Sequence, residues 1–286
     1  MQTNKKKLKR LFIVKVDVWE NTTIFQYEKQ QQKQNQKMKN LAIKISLCIM
    51  AFAVMTAGAQ TVKTSGKLGK NQKNNTLTEA EKKEGWTLLF DGKTTDGWHG
   101  YNMKVFPDCW TIEDESLTMN SKGGGESLDV LTNKEYRNFR LAVDYKLTKA
   151  ANSGVIFQIY EDPKYKFPYE TGPEFQVIDH ENWPDKLEDW QINGANYAMY
   201  PPKARPYKPV GAWNNLVLEV KGNQVKQFLN GKLVVQYEKN SEEWLKLRNS
   251  GKWVNFPDWG KFDEGFISLQ NHGTKVWYRN IKIKEL

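Results

Sequence analysis

The chain has 286 residues, with 43 Lys and Arg against 33 Asp and Glu and only two cysteines. The basic excess sits at the start: residues 1–59 carry 11 Lys and Arg and 3 Asp and Glu. The remaining 32 basic and 30 acidic residues give no surface charge with which to bind nucleic acid or an anionic membrane. Cys48 lies in an apolar N-terminal run and Cys109 is alone after it, so no intramolecular disulfide can form, which excludes a small disulfide-stapled domain.

Taken in order, the chain first shows a leader. Lys37-Met38-Lys39-Asn40 opens a basic region, Ile45 to Val54 is apolar, and Ala57-Gly58-Ala59 is a small-x-small site. Residues 38–59 therefore read as a secretory signal peptide, too short to span a bilayer, with cleavage after Ala59. Residues 1–37, ahead of Met38, read as an over-extended N-terminus. Export without disulfides predicts the periplasm or cell surface of a bacterium, and the mature chain has no membrane span. Residues 60–84 are assigned to a flexible linker, because Gln60 to Asn75 is Lys, Gly, Asn and Thr with almost nothing apolar. Within it, Thr78-Glu79-Ala80-Glu81 has the pattern of a capping box before Gly85. The domain is placed at residues 85–286.

Trp86 to Phe90 reads as a first strand, and Trp110 to Ile112 with Ser116 to Met119 as a hairpin around Glu113-Asp114-Glu115. Gly123-Gly124-Gly125 is a loop without the strand before it and helix after it that a phosphate-cradling loop requires. Leu128 to Leu131 is a short strand. Phe139 to Leu147 alternates, with Leu141, Val143, Tyr145 and Leu147 inward and Arg140, Asp144 and Lys146 outward. Asn152-Ser153-Gly154 is expected to turn the chain into a strand from Val155 to Tyr160, on which Gln158 and Tyr160 share a face. From Glu181 to Pro209 a long aromatic segment contains Trp183, Trp190 and Tyr197; loops of this length in compact domains are usually functional, and such rings suit either sugar faces or ordinary packing. Three strands follow at Asn215 to Val220, Val225 to Leu229 and Leu233 to Tyr237, joined at Gly222-Asn223 and Asn230-Gly231. Ser241 caps one short helix that stops near Gly251, and Phe266 to Gln270 and Trp277 to Ile283 close the chain. This pattern is all-β: a two-sheet sandwich or jelly roll with one short helix.

Two strands carry the chemistry. In Glu174-Phe175-Gln176-Val177-Ile178-Asp179-His180, alternation puts Phe175 and Val177 on one face and Glu174 and Gln176 on the other. In Phe266-Ile267-Ser268-Leu269-Gln270-Asn271-His272, Ile267 and Leu269 share one face and Ser268, Gln270 and His272 the other. If both strands lie in one sheet, Glu174 and His272 meet over a common surface with Gln176 and Gln270, and Gln158 is placed to join them. The alternative is the solvated face of an ordinary antiparallel sheet. Glu174, Asp179 and His272 are donors of the kind that holds a divalent cation, without the tight spacing that identifies a metal site.

These residues resemble the 3-keto-disaccharide hydrolase family. The likeness rests on Leu89-Phe90-Asp91-Gly92 with Gly97-Trp98, Ala151-Asn152-Ser153-Gly154-Val155, Glu174 to Asp179, Trp213-Asn214, Leu229-Asn230-Gly231, and Leu269-Gln270-Asn271-His272-Gly273 followed by Trp277-Tyr278-Arg279-Asn280-Ile281. It spans residues 86–286. The resemblance implies a concanavalin-A-like jelly roll that cleaves glycosides carrying a ketone at C3, and a sugar 3-oxidoreductase as functional partner to make that ketone. The chain departs from the family pattern at Asn271, where an Asp is usual. A second departure is from related jelly-roll glycosidases, at Gln176, where a carboxylate is usual.

A C3 ketone acidifies the C2 hydrogen and makes the C1 oxygen a leaving group, so one acid and one base suffice. Either Glu174 or His272 serves as base, with Asp179 as a third catalytic candidate and Gln176, Gln270, Gln158, Asn152, Trp183 and Tyr197 as substrate contacts. A conventional glycosidase needs two carboxylates at a set distance, whereas Glu174 and Asp179, an odd number apart, point to opposite faces of a regular strand. A non-catalytic carbohydrate-binding jelly roll and a conventional retaining glycosidase remain the alternatives.

Overall fold

The computed structural model describes residues 73–120 and 128–286. The leader, residues 60–72 of the expected linker and the Gly123–Gly125 loop fall outside the described residues. The regular structure of the described residues is almost entirely antiparallel sheet. Its strands are β1 (Trp86–Leu88), β2 (Trp98–Gly100), β3 (Trp110–Glu113), β4 (Ser116–Met119), β5 (Val130–Thr132), β6 (Phe139–Leu147) and β7 (Asn152–Ile159). They continue as β8 (Glu174–Ile178), β9 (Asn214–Lys221), β10 (Gln224–Leu229), β11 (Lys232–Glu238), β12 (Phe266–Leu269) and β13 (Val276–Glu285). Two α-helices, α1 (Glu79–Lys83) and α2 (Glu242–Arg248), and two short 3-10 turns complete it. The capping box at Thr78 forms α1 as a second helix beside the one capped by Ser241.

The strands make two sheets of a jelly-roll sandwich. The larger runs β11-β10-β9-β6-β13-β4-β3, with β1 also paired to β13; the smaller runs β2-β5-β12-β7-β8. Alternation accounts for the core between them. On β6, Leu141, Val143 and Tyr145 are wholly buried while Arg140, Asp144 and Lys146 are only partly covered. From the smaller sheet, Val155, Phe157, Phe175, Val177, Ile267 and Leu269 join the same cluster. The β10–β11 hairpin turns on Asn230 and Gly231, both at positive φ (47° and 81°), the pair of conformations that a tight two-residue hairpin requires.

Residues 73–84, read from composition as part of a flexible linker, are docked on the outer face of the larger sheet. Asn75 is buried and exchanges hydrogen bonds with Asn280: its backbone N–H donates to Asn280 Oδ1 (2.7 Å) and its Oδ1 accepts from Asn280 N (2.8 Å). Glu81 pairs with the buried Lys282, and Leu77 packs on Trp86, Ala142 and Val217. Few apolar residues are needed here, because polar side chains on β13 supply the contacts.

The candidate active site

The outer face of the smaller sheet is where the two chemically equipped strands meet. In the β7–β8 register Gly154 lies opposite Gln176 and Ile156 opposite Glu174, and Gln270 continues β12 alongside, its N–H donating to Gly154 O (2.9 Å). Opposed residues share a face, so Asn152, Gly154, Glu174, Gln176 and Gln270 all project outward. Phe175 and Val177 face the core, fully buried.

The free edge of β8 is closed by the long aromatic segment. Gln176 N donates to Ala195 O (3.0 Å), Gly194 N to Gln176 O (2.9 Å), and Tyr197 N to Glu174 O (3.0 Å), so residues 194–197 act as a further strand. This raises Tyr197 as one wall. Tyr169, in the 3-10 turn Pro168–Glu170, and Lys252 supply more. The result is a cleft of about 190 Å³ lined by Asn152, Tyr169, Glu174, Gln176, Tyr197, Lys252, Gln270 and His272.

Glu174 lies in this cleft and is only 5% exposed. It is a buried acid rather than a solvated one: loss of water pushes its pKa up to about 8, opposed by the Lys252 charge, reinforced by Asp129 and opposed again by the Gln270 amide. Its side chain leans over Gly154, where an added Cβ would lie 2.2 Å from Glu174 Oε1. Around it, Asn152 Oδ1, Gln176 Oε1 and Gln270 Oε1 are buried without a hydrogen-bond partner in the protein. Such acceptors suit the hydroxyl donors of a sugar. His272 is exposed at the rim.

Asp179, Gln158 and Trp183 lie elsewhere. Asp179 sits beyond the end of β8, accepting from Ala150 N (2.7 Å) and Asn182 Nδ2 (3.2 Å), and borders a different, small cavity. Gln158 falls on a β-bulge: Phe266 and Ser268 pair with Ile159 and Ile156, so β7 carries one extra residue, and Gln158 adopts φ 54°. The bulge breaks the alternation and turns Gln158 to Asp263 O (2.7 Å) and Lys239. Trp183 is half-exposed and does not line the cleft. Among the described residues no three His, Cys, Asp or Glu side chains are grouped as a metal site requires, and Asp179 is tied up apart from Glu174.

Three residues at or beside this cleft escaped the sequence reading. Tyr169 and Lys252 come from turns with no periodic signal. Asp129 had one, a lone acid in the apolar run Leu128-Asp129-Val130-Leu131. The β5–β12 pairing of Val130 with Leu269 sets Asp129 beside Gln270; it is 3% exposed, accepts from Asn271 N (2.9 Å), and burial pushes it up to about 7. Asn271, where the family pattern has an acid, is turned from the cleft: its Oδ1 accepts from Gly273 N (2.8 Å) and its amide faces Cys109.

A family model described as the 3-keto-alpha-glucoside-1,2-lyase-like domain matches residues 85–284. The chain belongs to that family. Among its relatives is a 3-keto-disaccharide hydrolase of Bacteroides thetaiotaomicron, 29% identical, with the match covering 87% of this chain and all of the relative. A solved structure of a candidate glycosyl hydrolase from Parabacteroides distasonis is 43% identical, with a TM-score of 0.71 over 75% of this chain and the whole of that one. A second from the same organism is 25% identical, with a TM-score of 0.55 over 70% and 99%. Family membership supports a glycoside-cleaving role. No helix among the described residues is long and apolar enough to cross a membrane.

Proposed function

We propose that the protein is an exported enzyme that cleaves 3-keto-glycosides by elimination and hydration, with Glu174 as the base. The observation that carries the reading is Glu174 itself, a carboxyl buried at 5% exposure, raised to about 8, and ringed by the unpartnered amide oxygens of Asn152, Gln176 and Gln270. A carboxylate of ordinary pKa is too weak a base to remove a carbon-bound proton readily; one raised toward neutrality is matched to that task.

Glu174 takes the C2 proton of the 3-keto sugar, and the C2–H electron pair moves into the bond toward C3. Collapse of that enolate expels the C1 oxygen, which leaves as an alcohol after protonation, and a C1–C2 double bond remains. Water then adds at C1 as C2 regains a proton, so the net reaction is hydrolysis. Gln176, Gln270 and Asn152 accept hydrogen bonds from sugar hydroxyls, and Tyr197 and Tyr169 offer ring surface to the sugar. A sugar 3-oxidoreductase would supply the ketone.

The test is incubation in deuterated water with a 3-keto-disaccharide and with its unoxidised parent. Deuterium at C2 of the released 3-keto sugar, with the parent left intact, is the expected result. Cleavage of the parent without C2 label would assign direct displacement at C1, and binding of both sugars without cleavage would leave a carbohydrate-binding protein.

A further inference from the structure

Lys252 stands out in the cleft because its charge is held without being neutralised. The 3-10 turn Lys252–Asn255 is anchored by Trp253, wholly buried and stacked on Trp259 at 4.3 Å between ring centroids, with Trp244 also stacked on Trp259 at 5.7 Å. Arg248 clamps the same segment, donating from Nε to Trp259 O (3.0 Å), and Gly260 N donates to Thr171 O (2.8 Å). The turn is therefore fixed, and it sets the Lys252 ammonium over three rings: Tyr169 at 4.6 Å, Tyr197 at 4.7 Å and Trp253 at 4.8 Å. Ring faces attract an ammonium while leaving its charge uncancelled. Lys252 has no carboxylate within ion-pairing distance among the described residues, although Glu174 lines the same cleft.

We infer that Lys252 is a second catalytic residue, whose ammonium takes up the negative charge that develops on the C3 oxygen as Glu174 removes the C2 proton. This rests on the 3-keto-glycoside reading above. When the C2–H bond breaks, its pair forms the C2–C3 double bond and the carbonyl pair passes to oxygen; the ammonium donates a hydrogen bond to that oxygen and keeps its proton. The charge is absent in the ground state and full in the enolate, so the interaction lowers the barrier rather than merely binding substrate. Loss of water around the ammonium presses the Lys252 pKa down against the pull of Glu174, which makes it a stronger donor. An unoxidised glycoside develops no charge at C3 and gains nothing from this group, which gives the cleft a reason to select the ketone.

The experiment compares wild type, K252Q, K252M and K252R on a 3-keto-disaccharide, reading kcat, KM, C2 deuterium incorporation and intact mass after borohydride. K252Q should lower kcat and the C2 exchange rate together by roughly 100- to 1000-fold while KM changes only a few-fold, and K252R should recover part of the loss. Borohydride should add no mass. K252M, which keeps the aliphatic stem against the rings, carries the same comparison if K252Q does not fold. A K252Q or K252M enzyme within threefold of wild-type kcat overturns the inference, and so does a borohydride-trapped adduct on Lys252, which would make the side chain a nucleophile. Wild type that fails to turn over any 3-keto sugar overturns instead the substrate reading on which the inference stands.

Discussion

Glu174 occupies the volume that a side chain at Gly154 would need: a Cβ there would lie 2.2 Å from Glu174 Oε1 and 2.8 Å from its Cδ. Strand pairing makes this possible, because Gly154 faces outward beside Gln176 and Gln270, one outward position along β7 from Ile156, the partner of Glu174. The carboxyl is positioned by an absent side chain.

Gly154→Ala should therefore act on chemistry more than on folding. The atoms in the way belong to the far end of a flexible side chain, so Glu174 swings aside at a cost of about 1–3 kcal/mol in stability. Displacing the base by an ångström or more should reduce kcat/KM about 100-fold or further. Denaturant titration and steady-state kinetics on a 3-keto-disaccharide check the two parts, and an active Gly154→Ala enzyme would remove Glu174 from its role.

Glu174→Gln should abolish turnover and stabilise the protein at neutral pH. The folded-state pKa is raised from 4.5 to about 8 by burial, so the native state binds the proton more tightly than the unfolded chain, and stability falls as pH rises across that window. The amide has no such dependence. Thermal melts should match below about pH 4.5 and separate above it in favour of the variant.

The same raised pKa sets the rate profile. If the ionised Glu174 removes the C2 proton, kcat/KM should climb as pH rises and level off near the value of about 8. A limb near the ordinary imidazole value of about 6.5 would transfer the role to a histidine, and His272 is the one in the cleft.

Lys282→Met should lower stability in urea unfolding by about 1–3 kcal/mol, because it removes the charged hydrogen-bond donor that Lys282 offers the Glu81 carboxylate. Burial raises the Glu81 pKa, but the Lys282 hydrogen bond and the Thr78 backbone outweigh it and leave the group below its ordinary 4.5. Its contribution is thus present above about pH 4.5 and lost on acidification. Replacing Glu81 by Leu together with Lys282→Met should recover most of the loss.

The sandwich was legible where one local rule governs one element. Strand β6 alternates over its whole length, Asn230-Gly231 adopts the hairpin conformations its residues favour, and the Ser241 hydroxyl accepts from Trp244 N (3.2 Å) to start α2. That Glu174 and Gln270 face the same way follows from the same alternation once their strands lie in one sheet, which alternation alone does not decide. Legibility failed where a contact distant in sequence decides. Strand β7 begins at Asn152 rather than Val155 because Asn152 to Gly154 pair with β8. Gln158 leaves its expected face because the bulge against β12 adds a residue. Lys252 reaches the cleft only through the stack of Trp253, Trp259 and Trp244, which no nearby pattern announces. Asp129 was visible as a lone acid among apolar residues, the pattern of a buried titratable group.

The docking of residues 73–84 also fixes an orientation. Asn75, Leu77 and Glu81 lie against β13 and its neighbours on the outside of the larger sheet, whereas the cleft opens from the outside of the smaller one. The described chain thus begins, at residue 73, on the face of the domain away from the cleft.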